Sequence, residues 1–83
     1  MLTRMRFRNA RSLPRLGASV RSLRIARGMT QAALAESAGV SRRSLISLEA
    51  GKTSGMEIGL LMRVLDALDA SLYIHDDLDP EED

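Results

Sequence analysis

The chain has 83 residues, no cysteine and a formal net charge of +1 at pH 7. A chain of this length forms one small domain, and the lack of cysteine excludes disulfide bonds and thiolate metal sites. No apolar run approaches the roughly 18 residues that a membrane-spanning helix needs, so we expect no membrane partner. These features favour a cytoplasmic protein.

Charge is distributed unevenly along the chain. Residues 1–15 contain five arginines and no acidic residue, whereas residues 76–83 contain six acidic residues and no basic one. We interpret residues 1–15 as a flexible basic arm and residues 77–83 as an acidic disordered tail. The arm either follows DNA phosphates and the minor groove or is a solvated extension with little function. The tail contacts a basic partner or the chain's own arm, or it only aids solubility.

The first helix is predicted over residues 16–27. Leu16, Val20 and Leu23 recur at helical spacing. Gly28 is expected to end this helix, because glycine enters the left-handed backbone region without steric cost. This helix begins a domain that we place at residues 16–70.

Two short helices joined by a glycine turn are predicted between Thr30 and Gly51. Thr30 and Ser41 are suited to cap their N-termini, and Gly39 to end the first of them. The inward side chains are expected to be Leu34, Ala35, Ala38, Leu45, Leu48 and Glu49. The outward ones on the second helix include Arg42, Arg43, Ile46 and Ser47. A short helix with arginines at its exposed N-terminus suits the DNA major groove.

A further helix is predicted to start near Gly55 or Met56, because Ser54 and Glu57 have the spacing of a capping box. Its inward stripe is expected to be Leu61, Val64, Leu65 and Leu68. The helix carries more apolar residues than one small core can bury. We therefore expect a homodimer, the alternative being a fully used core with scattered exposed methionine.

Residues 71–76 alternate as a short strand would. Because a lone strand is marginal in water, we expect it to pair with the same strand of a second copy. His75 beside Asp76 and Asp77 is expected to be a solvated strand end rather than a metal ligand, so no metal and no cofactor is predicted.

The segment from Gln31 to Gly51 resembles the phage repressor/Cro (XRE-type) helix-turn-helix family. The resemblance is carried by Gln31, Leu34, Ala35, Gly39, Val40, Ser41, Leu45, Glu49 and Gly51. An ordinary helical hairpin does not need this combination. The resemblance implies an all-α, compact four-helix repressor-like domain, with the short C-terminal strand pairing across the dimer.

The resemblance also assigns roles to individual residues. Gln31 matches a position that contacts a phosphate, and Arg42 and Arg43 match positions that face base edges. Either arginine could instead hold a phosphate, and Ile46 could touch a thymine methyl group or another protein. Arg24 and Glu49 match a pair that bridges the first and third helices. The implied DNA-binding residues are Gln31, Ser41, Arg42, Arg43, Ser44, Ser47 and Lys52.

The function implied is that of a sequence-specific transcriptional repressor that binds double-stranded DNA at a palindromic operator as a dimer. The C-terminal strand is similar to that of HipB-like antitoxins, which implies a HipA-like kinase toxin as partner and repression of the shared operon. The alternative is a stand-alone phage-type or metabolic regulator without a toxin. One histidine and no glycine-rich phosphate loop argue against an enzyme.

Overall fold

The computed structural model describes residues 7–52 and 57–78. It contains four α-helices, namely α1 (Leu13–Ala26), α2 (Gln31–Ala38), α3 (Arg42–Glu49) and α4 (Ile58–Ala67). α1 packs on α3, and α2 packs on both α3 and α4. The predicted all-α, four-helix architecture is confirmed. None of the helices in these ranges is long and apolar enough to span a bilayer.

The core is built from aliphatic side chains of all four helices. Its buried members are Val20, Leu34, Ala35, Ala38, Leu45, Leu48, Leu61, Val64, Leu65 and Leu68. They include every apolar residue predicted to face inward from α2 and α3, and the whole predicted stripe of α4. Fully burying one large aliphatic side chain contributes about 1.5–3 kcal/mol, so this cluster is the main source of stability.

Both ends of α2 follow the predicted capping residues. The Thr30 hydroxyl accepts a hydrogen bond from the Ala33 amide at 3.0 Å, at the start of α2. Gly39 ends α2 in the left-handed region with φ 71°. After α4 the left-handed residue is Asp69, with φ 54°, rather than a glycine. Aspartate tolerates this region better than most side chains because its short carboxylate can hydrogen-bond locally.

Helix α1 begins at Leu13, three residues before the predicted start at Leu16. The Ser12 hydroxyl accepts a hydrogen bond from the Arg15 amide, and Pro14 lies in the first turn. Proline suits that position because its fixed φ matches the helix and the first-turn amides have no intrahelical partner. Pro14 therefore favours a helix start here, and the last three residues of the segment interpreted as a flexible basic arm are helical.

Helix α4 begins at Ile58, and Glu57 occupies its N-cap position without a side-chain hydrogen bond. The predicted cap at Ser54 lies outside the described residues. No residue from 71 to 76 forms a strand in the described part of the chain. A strand needs a neighbour for its backbone hydrogen bonds, so pairing with a second copy stays a prediction.

Candidate nucleic-acid interface

Helix α3 is fixed on one side and open on the other. Leu45 and Leu48 of its inner side are 0% and 1% exposed, so the helix is anchored in the core. On its outer side Arg42 and Arg43 are exposed, and Ile46 is 43% exposed. The outer side of α3 thus presents two cations and one apolar side chain on a rigid support.

The N-terminus of α3 is closed by its own serines. The Ser41 hydroxyl accepts a hydrogen bond from the Ser44 amide at 3.0 Å and donates one to the Ser44 hydroxyl at 2.8 Å. Ser41 is exposed, while Ser44 and Ser47 are half-buried. This capping fixes the first turn of α3, which contains Arg42 and Arg43. Neither of these guanidinium groups donates a hydrogen bond to any residue that the structure describes.

A buried ion pair joins α1 to the end of α3. Arg24 donates from Nε to Glu49 Oε2 at 2.7 Å and from Nη2 to Glu49 Oε1 at 3.1 Å. The third nitrogen of the guanidinium, Nη1, donates to the Met29 carbonyl oxygen at 2.9 Å. The Arg24 and Glu49 side chains are only 11% and 2% exposed. The bridge predicted between the first and third helices is therefore present, and it is bidentate.

Gln31 also bonds Glu49, a contact that was not predicted from the sequence. Its Nε2 donates to Glu49 Oε1 at 3.1 Å. A carboxylate has more acceptor sites than one guanidinium fills, so a second donor on Glu49 is chemically favourable. An amide nitrogen carries two hydrogens, and one remains for another acceptor. Gln31 lies half-buried at the first residue of α2, held in place by Glu49.

Two glycines allow α1 to approach α3 closely. A Cβ atom on Gly17 would overlap the Leu48 carbonyl oxygen and lie 2.8 Å from the Glu49 carbonyl oxygen. Gly51, with φ 68°, lies similarly close to the backbone of Leu13 and Pro14. The role of Gly17 was not predicted, because nothing in the local sequence distinguishes a glycine that contacts another helix. This close approach sets the position of the C-terminal end of α3 and of Lys52, which is exposed.

On another side of α1, the two terminal segments meet. The rings of Phe7 and Tyr73 form an edge-to-face pair with centroids 6.1 Å apart. Arg8 donates a hydrogen bond to the Ser22 hydroxyl at 2.6 Å, and Arg11 forms an ion pair with Asp77. Phe7, Arg8 and Tyr73 line a groove of about 470 Å³ whose walls also include α1 and residues 69–72.

The His75 side chain is exposed, and its Nε2 lies 3.9 Å from Asp77 Oδ1. Within residues 7–52 and 57–78, no three side chains among His, Asp and Glu lie close enough together to hold a metal ion.

The seven residues predicted to contact DNA lie on three parts of the fold. Arg42, Arg43, Ser44 and Ser47 lie on α3, Ser41 caps it, Gln31 begins α2, and Lys52 follows Gly51. The structure brings Gln31 against the C-terminal end of α3 through Glu49. Whether each residue touches DNA stays a prediction. Chemically, the set offers guanidinium, ammonium, amide and hydroxyl donors, which match phosphate oxygens and base edges.

Comparison with known proteins gives consistent matches. The family model HTH_3, described as helix-turn-helix, matches residues 20–73. The clp gene regulator ClgR from Corynebacterium glutamicum is 42% identical, over 69% of this chain and 72% of that chain, with a TM-score of 0.64. SinR, a master regulator for biofilm formation solved in complex with DNA, is 32% identical, over 68% and 89% of the two chains, with a TM-score of 0.63.

A longer but more distant match is a HipB variant solved in complex with an O2 20mer. It is 22% identical, covers 87% of this chain and 99% of that chain, and has a TM-score of 0.76. At this identity the likeness concerns the fold. A search of curated proteins found no match.

Proposed function

Because the chain belongs to the HTH_3 helix-turn-helix family and is a DNA-binding transcriptional regulator, we propose that it is a sequence-specific repressor acting as a dimer on a palindromic operator. The observation that carries this proposal is the outer side of α3. Arg42 and Arg43 are exposed there, on a helix whose inner side is buried. A helix held in this way can enter the major groove without rearranging its own domain.

Base recognition is assigned to α3. A guanidinium group can pair with both O6 and N7 of guanine, which is worth about 1–3 kcal/mol of discrimination. Arg42 and Ile46 lie four residues apart and share one face of the helix. We assign guanine contacts to Arg42 and Arg43 and a thymine methyl contact to Ile46. Ser44 and Ser47 are half-buried. We assign to their hydroxyl groups hydrogen bonds with base-edge or phosphate oxygens that come close to the surface of α3.

Phosphate contacts are assigned to residues that flank α3. Gln31 keeps one amide hydrogen after bonding Glu49, and it lies at the N-terminus of α2, where the helix dipole favours an anion. Ser41 exposes its hydroxyl at the start of α3, and Lys52 follows its end. These contacts fix the orientation of α3 on the duplex but carry no sequence information.

A dimer is proposed because one such module buries too little DNA surface for useful specificity. Large apolar side chains remain exposed on α4 and the C-terminal segment: Ile58, Met62, Leu72, Ile74 and Leu78. We assign this surface to the second copy, with the strand at 71–76 forming on pairing. Two half-sites about one helical turn apart, ~34 Å, would then be read. A mass of twice 9.1 kDa in analytical ultracentrifugation is expected; a monomer at micromolar concentration contradicts it.

We further propose that the chain is the antitoxin of a toxin–antitoxin pair, with a HipA-like kinase toxin as partner. The likeness of the fold to that of HipB, over 87% of this chain, supports this proposal. The alternative is a stand-alone phage-type or metabolic regulator without a toxin. A stable complex with the product of the neighbouring gene, found by co-purification, separates the two. Since its target is DNA, we expect the protein at the nucleoid.

The decisive experiment is selection of bound duplexes from a random DNA pool, followed by affinity measurements on the enriched sequence. We expect a palindrome containing guanine in each half-site. Arg42→Ala should weaken binding about 5- to 150-fold on that sequence and relax the preference at one base pair. The matched control is Arg63→Ala, which removes an exposed arginine from α4. Equal loss on all sequences would make Arg42 a phosphate anchor, and absence of enrichment would refute sequence-specific binding.

A further inference from the structure

The N-terminal segment is held along α1 by contacts of several kinds. Phe7 packs edge-to-face on Tyr73, Arg8 bonds Ser22, and the Ser19 hydroxyl donates to the Asn9 carbonyl oxygen. All four of residues 7–10 are exposed, so these contacts lie at the surface. The segment is therefore positioned by surface contacts of its side chains and of the Asn9 carbonyl oxygen.

Arg11 is the point where the basic and acidic ends of the chain meet. Its guanidinium pairs with Asp77, and the two side chains are 70% and 57% exposed. Residues 1–15 carry five arginines and residues 76–83 carry six acidic residues, so each end supplies many charges opposite to the other. The Asp77 carboxylate occupies Nη2 of Arg11, a donor that a DNA phosphate would also use.

Arg11 is close in sequence to residues that pack beside the C-terminal end of α3. Pro14 and Leu13 pack directly on Gly51, which precedes the exposed Lys52. Arg11 lies three residues before Pro14, a chain distance of at most about 11 Å. A long guanidinium side chain at that distance can reach the phosphates that flank a duplex lying along α3.

We propose that Asp77 competes with the DNA backbone for Arg11, so that the acidic C-terminal segment restrains the affinity of the protein for DNA. The ligand of Arg11 in the bound state is a phosphodiester oxygen. Binding exchanges an intramolecular ion pair for a phosphate contact and releases the Asp77 carboxylate to solvent. This inference rests on the DNA-binding function proposed above.

The size of the effect follows from the exposure of the pair. Exposed ion pairs shift equilibria only modestly, by about two- to fivefold. The competition therefore reduces DNA affinity by about two- to fivefold for each bound chain and does not prevent binding. Salt weakens both the ion pair and the phosphate contact, so the experiment belongs at low, fixed ionic strength.

The test measures binding of the full chain to a fluorescein-labelled 30-base-pair duplex of mixed sequence by anisotropy. Asp77→Asn should bind two- to fivefold more tightly per chain than the wild type. Arg11→Ala should bind more weakly, with a salt dependence lower by about 0.9 per chain in log–log slope. In the Arg11→Ala background, Asp77→Asn should have little effect, because the group for which Asp77 competes is gone.

The control is Asp66→Asn, which removes the same charge from an exposed position of α4. If it tightens binding as much as Asp77→Asn, or if Asp77→Asn acts equally without Arg11, general charge repulsion replaces the competition. An unchanged affinity of Asp77→Asn also overturns it while leaving DNA binding intact. A wild type that binds no duplex overturns both proposals.

A second measurement tests the packing itself. The chain has one phenylalanine and one tyrosine, so a nuclear Overhauser effect between their rings is assigned without ambiguity. It should be present in the free protein, where the ring centroids are 6.1 Å apart. Its absence would mean that residues 7–11 do not lie beside the C-terminal segment, and would overturn the proposal.

Discussion

The unit formed by α2 and α3 and the pair of terminal segments are held together by different kinds of contact. In the first, Leu34 and Leu45 are fully buried and Glu49 receives charge-assisted hydrogen bonds in an almost dry environment. In the second, Arg11 and Asp77 form an ion pair that remains more than half exposed. Replacing a buried contact by water or a ligand costs a large part of the folding free energy, whereas replacing an exposed contact costs little.

This difference matches what each region is proposed to do. Helix α3 has to keep Arg42 and Arg43 in one orientation, which requires a rigid support. A segment that yields to DNA has to be held weakly. The three substitutions below test the comparison, beginning with the contact whose loss should cost most.

Glu49→Ala is expected to have the largest effect. It leaves the Arg24 guanidinium buried without a partner and removes the acceptor for Gln31. Removing one partner of a buried pair costs about 3–5 kcal/mol, a large share of the stability of a small domain. Urea denaturation followed by circular dichroism measures the loss. Glu36→Ala, at an exposed position of α2, should change the free energy of unfolding by less than about 0.5 kcal/mol. Similar values for both would mean that the pair is not a structural bridge.

Gly17→Ala should destabilise by an intermediate amount. The added methyl group overlaps the Leu48 carbonyl oxygen, so α1 and α3 must separate. Overpacking of this kind costs about 1–3 kcal/mol.

Gly59→Ala, in α4, is the matched control because, among residues 7–52 and 57–78, its Cβ would meet only the Arg63 side chain, at 3.9 Å. At position 59 the change to alanine should raise the free energy of unfolding by up to about 1 kcal/mol, since alanine is the better helix former. The two thermal unfolding midpoints should therefore move in opposite directions. A shift in the same direction would show that close approach at Gly17 does not limit the packing of α1.

The sequence predicted best what short-range chemistry determines. The caps at Thr30 and Ser41 and the turn at Gly39 depend on residues within a few positions, and all three were predicted. The inward stripe of α4 was predicted because helical periodicity marks it. The Arg24–Glu49 bridge, which spans 25 positions, came only from the family resemblance.

What the sequence did not predict depends on three-dimensional proximity. Gly17 contacts α3 only once both helices are placed. The hydrogen bond of Gln31 to Glu49 likewise joins two helices whose positions have to be known first. Pro14 was interpreted as part of an irregular arm, although proline in a first turn also favours a helix start. The contact of the tail with the arm was one of several alternatives, because charge alone does not select a partner.

Phe7→Ala should have the smallest effect on stability, because it removes a contact of the exposed terminal segments. Phe7 is 72% exposed and Tyr73 is 63% exposed, so little apolar surface returns to water when the ring is removed. We expect the free energy of unfolding to change by less than about 0.5 kcal/mol. The Tyr73 ring resonances should nevertheless shift, because the neighbouring phenylalanine ring is lost. Leu34→Ala provides the contrast, with an expected loss of about 2–5 kcal/mol at a fully buried position. An equal loss of unfolding free energy for Phe7→Ala would mean that the N-terminal segment is part of the core. Exchanging the Arg11–Asp77 pair for a DNA phosphate would then be too costly.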